Sequence, residues 1–120
     1  QRRQWVRVRV AVPVELKGTG TRKASLSTST VDISGGGVRL GDARPMRRGD
    51  GVSMAIELPD GSVEVTGRIL DIASGGEARV KFEGLSEGAS KRIVRFVFDV
   101  QRDSGRTAGS GVGPESKTAR

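Results

Sequence analysis

Residues 6–16 read VRVRVAVPVEL. An aliphatic side chain occupies every even position of this stretch, and most odd positions are charged or small. Side chains of an extended strand point alternately to its two faces, so this period of two indicates a strand with one buried face. Pro13 cannot donate a backbone hydrogen bond, which favours a sheet edge or a bulge at that point. The stretch therefore predicts a β-rich domain with a long first strand.

Five more segments with strand patterning follow it. They cover residues 24–33, 38–40, 52–58, 63–72 and 78–82. Turn sequences separate several of them, as at Pro59–Gly61 and Ser74–Gly76. In the first of the five, Val31 and Ile33 are expected to share the buried face. Six strands joined in hairpin order predict an antiparallel β-barrel or a strongly curved antiparallel sheet.

The periodicity changes after Ser86, a residue type that suits a helix N-cap. Ala89, Ile93, Val97 and Val100 then recur at helical spacing, which predicts an amphipathic helix over about 86–101. Residues 104–120 contain mostly Gly, Ser, Thr and charged residues without periodicity, and are predicted to be disordered. The fold class is thus all-β with a C-terminal helix: a six-stranded antiparallel barrel over 6–103, preceded by a leader over 1–9.

The composition excludes several function classes. The 120 residues include no Cys and no His, so the chain has no disulfide, no thiolate or imidazole metal site and no His-based catalytic triad. No carboxylates form an evident acid–base pair, and an enzyme is not predicted. No signal peptide and no apolar run of about 20 residues is visible, so no membrane span is expected. A cytoplasmic protein, or a cytosolic domain of a longer one, is the expectation.

Positive charge is concentrated at the start of the chain. The net charge is +7, and residues 1–9 contribute +4 through Arg2, Arg3, Arg7 and Arg9, whereas residues 10–100 contribute only +1. A surface that tracks a nucleic-acid backbone spreads its charge more widely. The local cluster instead favours a compact anionic ligand.

Two short segments carry suitable chemistry for such a ligand. The first runs from Arg3 to Arg7, and guanidinium groups pair with phosphates and donate to guanine O6 and N7. The second is Asp32-Ile33-Ser34-Gly35-Gly36-Gly37, in which Asp32 and Ser34 face one side of the strand. A carboxylate can accept from the N–H groups of guanine, and glycines allow positive φ and close backbone approach to a ligand.

Together, Arg3-x-x-x-Arg7 and Asp32-x-Ser34-x-x-Gly37 resemble the two-part signature of the PilZ family. The resemblance covers about residues 2–100. It implies a six-stranded barrel with a C-terminal helix that binds the bacterial second messenger cyclic di-GMP, with no further cofactor and no metal. It also implies regulation of motility or exopolysaccharide production through an unidentified protein or domain partner, without DNA or RNA.

The resemblance also implies roles for individual residues. Arg3 and Arg7 would contact guanine and phosphate, Asp32 and Ser34 would bind a guanine and its neighbouring phosphate, and Gly36 and Gly37 would leave room for the ligand. An Arg directly before the motif accompanies binding of two intercalated ligand molecules in some members, and Arg2 holds that place. Arg39 follows the second motif and is a further candidate contact. Four residues of extended chain span roughly 13 Å, so Arg3 and Arg7 can converge on one compact ligand only if the chain bends. Residues 1–6 are therefore expected to be mobile without ligand and to wrap around it when it binds.

Plainer interpretations remain open for the same residues. The arginine-rich leader could be a solvated segment, and Asp32 could cap the turn at Ser34–Gly37 through its side chain. The barrel could act by protein contact without any ligand. It could also bind single-stranded nucleic acid, but such barrels usually display several aromatic side chains, and this chain has one Trp, three Phe and no Tyr.

Overall fold

The computed structural model describes residues 6–21 and 23–110. This part of the chain forms seven strands and one helix: β1 (Arg7–Arg9), β2 (Pro13–Gly18), β3 (Ser25–Ser34), β4 (Gly37–Leu40), β5 (Gly51–Leu58), β6 (Gly61–Ile72), β7 (Ala78–Glu83) and α1 (Glu87–Ser110).

Six of the strands close into an antiparallel barrel, as the sequence predicts. The neighbours around the ring are β3, β2, β5, β6, β7 and β4, and a β3–β4 pairing closes it. β1 is an additional strand that pairs with β3 outside the ring. Two pairings depart from the predicted hairpin order. β2 pairs with β5 and β4 pairs with β7, although neither pair is consecutive in sequence.

The predicted first strand is interrupted and becomes β1 and β2, both of which lie along β3. The register shifts by one residue between the pair Arg9–Asp32 and the pair Pro13–Ser29. The buried Thr30 hydroxyl lies at this shift: it donates to the carbonyl of Val10 and accepts from Val12 N at 3.0 Å. The side chain thus satisfies two backbone groups at the irregularity, and Pro13 begins the next strand, where a missing N–H is tolerated.

β3 is irregular at the same level. Its pairing with β4 shifts between Thr30 and Asp32, so the face that points inward changes there. Thr30 and Ile33 are buried, whereas Val31 is only partly buried. The expectation that Val31 and Ile33 share the buried face is therefore wrong, because the shift places one extra residue between two inward-facing positions.

The helix packs against β1, β3 and β6. Ala89, Ile93 and Val97 form its buried stripe, and Ala89 N donates to Ser86 Oγ at 3.1 Å, which confirms Ser86 as the N-cap. Arg92 fastens the helix to the β5–β6 turn, since its Nη2 lies 2.9 Å from Asp60 Oδ1 and 2.7 Å from Gly61 O. The Arg92 hydrogen bond also lowers the pKa of Asp60.

The helix is longer than predicted. It continues to Ser110, beyond the predicted end near residue 101. Residues 111–120 lie outside the described part, and the disorder expected over 104–120 stays a prediction. Once a helix is nucleated, each added residue gains a backbone hydrogen bond, which allows weak helix formers to extend it. Within the described ranges, no helix has the length and apolar character that crossing a membrane requires.

Candidate ligand-binding site

The pairing of β1 with β3 brings the two predicted motifs together. Arg7 lies opposite Ser34 and Arg9 lies opposite Asp32 in the ladder, so all four side chains belong to the same outward face. Arg7 Nη1 lies 2.5 Å from Asp32 Oδ1, a charge-assisted hydrogen bond between residues 25 positions apart. Half of the Arg7 side chain remains exposed, whereas the Asp32 side chain is only 8% exposed.

A second arginine approaches Asp32 from the opposite side. Arg39 pairs with Asp32 across β3 and β4, and its Nε lies 3.4 Å from Asp32 Oδ2. This Nε is buried and has no hydrogen-bond partner among the described residues. Asp32 is therefore an acceptor between two guanidinium groups, and its described contacts are to arginines rather than to the turn that it could have capped.

The turn is capped by Ser34 instead. The Ser34 hydroxyl accepts from Gly36 N at 3.2 Å and donates to Gly37 O at 3.3 Å, and the residue is 2% exposed. A side-chain oxygen that bonds backbone two residues further on is typical of serine turns. In this structure Ser34 shapes the corner between β3 and β4.

The two candidate glycines have backbone roles. Gly36 O accepts from Phe82 N at 3.0 Å, which ties the corner to β7. Gly37 lies so close to β7 that a Cβ atom there would overlap the carbonyl oxygen of Val80. Positive φ values among the described glycines occur at Gly49, Gly61, Gly76 and Gly84, so the Gly35–Gly37 corner does not use the positive φ that glycine allows. The close approach of β4 to β7 therefore explains why a glycine occupies position 37.

The rim of the site includes charged residues that the sequence pattern does not single out. Glu77 Oε1, in the β6–β7 turn, lies 3.6 Å from Arg39 Nη1. Next to it, Arg79 donates to Asp71 Oδ2 from Nε at 2.9 Å and from Nη2 at 2.5 Å. These hydrogen bonds, with the positive charges of Arg79, Arg48 and Arg39, hold the pKa of Asp71 below its ordinary value. Their proximity follows from the β4–β7 pairing, in which Arg39 lies opposite Arg79.

Six of the eight candidate residues thus lie together where β1, β3 and β4 meet: Arg7, Asp32, Ser34, Gly36, Gly37 and Arg39. Arg2 and Arg3 lie outside the described residues, as does all but the last residue of the segment 1–6 whose mobility is expected. The exposed parts of Arg7 and Arg39 can donate to anionic oxygens, and Asp32 can accept N–H groups. In the described part, no three acidic side chains gather into a group that could hold a metal ion.

Comparisons with known proteins agree with this architecture. Residues 1–99 match a family model described as PilZ domain. No curated protein matches the sequence.

Three solved structures illustrate the similarity of fold. YcgR from Escherichia coli in complex with c-di-GMP superposes with a TM-score of 0.76 at 17% identity, over 92% of this chain and 50% of that one. The inhibitor of motility MotI/DgrA from Bacillus subtilis superposes with a TM-score of 0.72 at 19% identity, over 86% of this chain and 53% of that one. The PilZ domain of CeSA from a cellulose-synthesizing bacterium superposes with a TM-score of 0.67 at 19% identity, over 80% of this chain and 98% of that one. The chain spans about half of the first two proteins and nearly the whole of the third.

Proposed function

The chain belongs to the PilZ domain family, and we propose that it is a regulatory receptor domain for cyclic di-GMP. The observation that carries the proposal is the contact between Arg7 and Asp32, which joins the two halves of the family signature at one corner of the barrel. A PilZ domain of YcgR, which shares the fold, occurs in a complex with this ligand.

The chemistry of the corner suits this ligand. Cyclic di-GMP carries two phosphodiester charges and two guanines, so it offers anionic oxygens, O6 and N7 acceptors and N–H donors. Arg7 and Arg39 expose guanidinium surface toward solvent and would meet the first two kinds of group. Asp32 would accept the guanine N–H groups, which replace its present donor, Arg7.

Arg2 and Arg3 complete the proposed site from the leader. Arg3 would contact the ligand together with Arg7, and Arg2 would favour two intercalated ligand molecules. Binding would then hold the leader against the corner. A partner domain or protein in the cytoplasm would respond to that arrangement, because a ligand shifts an equilibrium only by binding one arrangement better than the other.

Isothermal titration calorimetry with cyclic di-GMP tests the proposal. We expect saturable binding by the unmodified chain, with a stoichiometry near two ligands per chain if the intercalated form binds. Arg3→Ala, Arg7→Ala and Asp32→Ala should each weaken binding at least tenfold, which corresponds to about 1.4 kcal/mol. Arg95→Ala is the matched control, since it removes one exposed arginine from α1.

Two results would contradict the proposal. One is the absence of binding heat up to high micromolar ligand. The other is tighter binding of a single-stranded oligonucleotide than of cyclic di-GMP at physiological salt, which would favour a nucleic-acid-binding barrel.

A further inference from the structure

The backbone of Glu77 is held beside the proposed ligand site by a hydrogen-bonded turn. Within the β6–β7 turn, Ala73 N donates to Glu77 O and Gly76 N donates to Ala73 O, both at 2.8 Å. Gly76 adopts a φ of +100°, and its carbonyl accepts from Ala43 N at 2.9 Å. Because the turn is bonded both internally and to the segment after β4, the place of Glu77 is set by backbone geometry.

Glu77 shares the guanidinium group of Arg39 with Asp32. Arg39 Nη1 lies 3.6 Å from Glu77 Oε1, and Arg39 Nε lies 3.4 Å from Asp32 Oδ2. Both distances are long for charged hydrogen bonds, and within the described ranges Nε makes none although it is buried. The guanidinium thus lies between two carboxylates and is held tightly by neither.

We propose that Glu77 is a positioning residue that lowers the affinity of this site for anions, because its carboxylate competes with the ligand for the Arg39 guanidinium. This inference rests on the proposed function and adds a residue outside the family signature. A phosphate that binds Arg39 must draw Nη1 away from Glu77. The carboxylate therefore raises the ligand concentration at which the domain responds.

Calorimetric titration of Glu77→Gln with cyclic di-GMP tests the inference. Glutamine keeps the shape of the side chain and removes its charge. An exposed ion pair changes an equilibrium constant by about two- to fivefold, so we expect Glu77→Gln to bind about two- to fivefold more tightly than the unmodified chain. Glu57→Gln is the matched control, because Glu57 is exposed and bonds Ser62 at the opposite end of β6.

A double-mutant cycle with Arg39→Gln separates a local effect from a general gain in positive charge. If Glu77 acts through Arg39, Glu77→Gln has no effect on affinity when Arg39→Gln is also present. A general electrostatic effect would persist in that background and would appear with Glu57→Gln as well.

The outcomes distinguish this inference from the proposed function. If the unmodified chain does not bind cyclic di-GMP, the proposed function fails. If it binds and Glu77→Gln binds equally or less tightly, the function stands and the role of Glu77 is overturned. The role is also overturned if the gain from Glu77→Gln survives in the Arg39→Gln background.

Discussion

Arg7 and Asp32 form a 2.5 Å charge-assisted contact across the β1–β3 ladder, although 25 positions separate them in the sequence. The arginine is half exposed and the carboxylate is nearly buried. The carboxylate of Asp32 therefore already has a hydrogen-bond donor in this structure. A ligand that uses this carboxylate must exchange one donor for another, which makes Arg7 a determinant of stability as well as of binding.

Arg7→Ala should destabilise the unliganded domain by about 1 kcal/mol, since a short hydrogen bond to a charged group is lost and half of the arginine is solvated. Arg9→Ala provides the matched control. Arg9 lies two residues further along the same face of β1, is exposed, and has no ion-pair partner in the described part of the chain. Urea unfolding should show less than about 0.5 kcal/mol for Arg9→Ala. Equal losses for both variants would contradict a specific role for the Arg7–Asp32 contact.

Thr30→Val should destabilise the domain by about 2–3 kcal/mol, because Val10 O and Val12 N both lose their partner at the shift between β1 and β2. Thr30→Ser keeps the hydroxyl and removes one methyl group, so it is the control for packing alone. Urea unfolding should rank Thr30→Val as the less stable of the two. The reverse order would mean that the methyl group matters more than the two hydrogen bonds.

Gly37→Ala should destabilise the domain by at least about 1–3 kcal/mol, as overpacking against a neighbouring strand does. The new methyl group would meet the Val80 backbone, which cannot move without breaking the β4–β7 ladder. Gly88→Ala is the contrasting control, because Gly88 lies in α1 with open space at its Cβ position. In a helix, alanine is favoured over glycine by about 1 kcal/mol, so Gly88→Ala should raise the melting temperature. A neutral Gly37→Ala would contradict the close approach.

Asp42 gives the fold a measurable acid sensitivity. Hydrogen bonds from the side chain and backbone of Arg44 lower the pKa of Asp42 from 3.8 to about 2. A depressed folded-state pKa stabilises the fold above the unfolded pKa, and this stabilisation disappears as the pH falls from about 4 to about 2. The difference in stability between the unmodified chain and Asp42→Asn should therefore shrink over that range in thermal melts. A Glu64→Gln control, at an exposed position of β6, should not reproduce this change.

The strands were predictable because the alternation of apolar and polar residues reflects which side chains are buried. Val8, Val12, Val14 and Leu16 are buried as their alternation indicates, and Ile93 and Val97 follow the helical period. The interruption between β1 and β2 was not predictable in detail, because the buried positions keep the same parity on both sides of it. The irregularity is visible on β3 instead, where two residues rather than one separate the buried Thr30 and Ile33.

The site was predictable in its residues but not in its contacts. Alternation shows which side chains share a face of one strand, whereas neighbours across strands depend on topology. The β4–β7 pairing joins strands that other elements separate in sequence, and it places Glu77 close to Arg39. No local pattern around Glu77 distinguishes it from an ordinary charged residue of a hairpin turn.

The position of β1 outside the closed ring has an energetic consequence. Its separation from β3 breaks three residue pairings and removes Val8 from the core, but leaves every ladder of the ring intact. Burial of a valine contributes roughly 1.5–3 kcal/mol, whereas whole domains unfold at about 5–15 kcal/mol. β1 should therefore open as a cooperative unit of its own, far more often than the barrel unfolds. A ligand that bridged β1 and β3 would raise the free energy of this opening. Binding of the ligand would therefore make β1 more rigid.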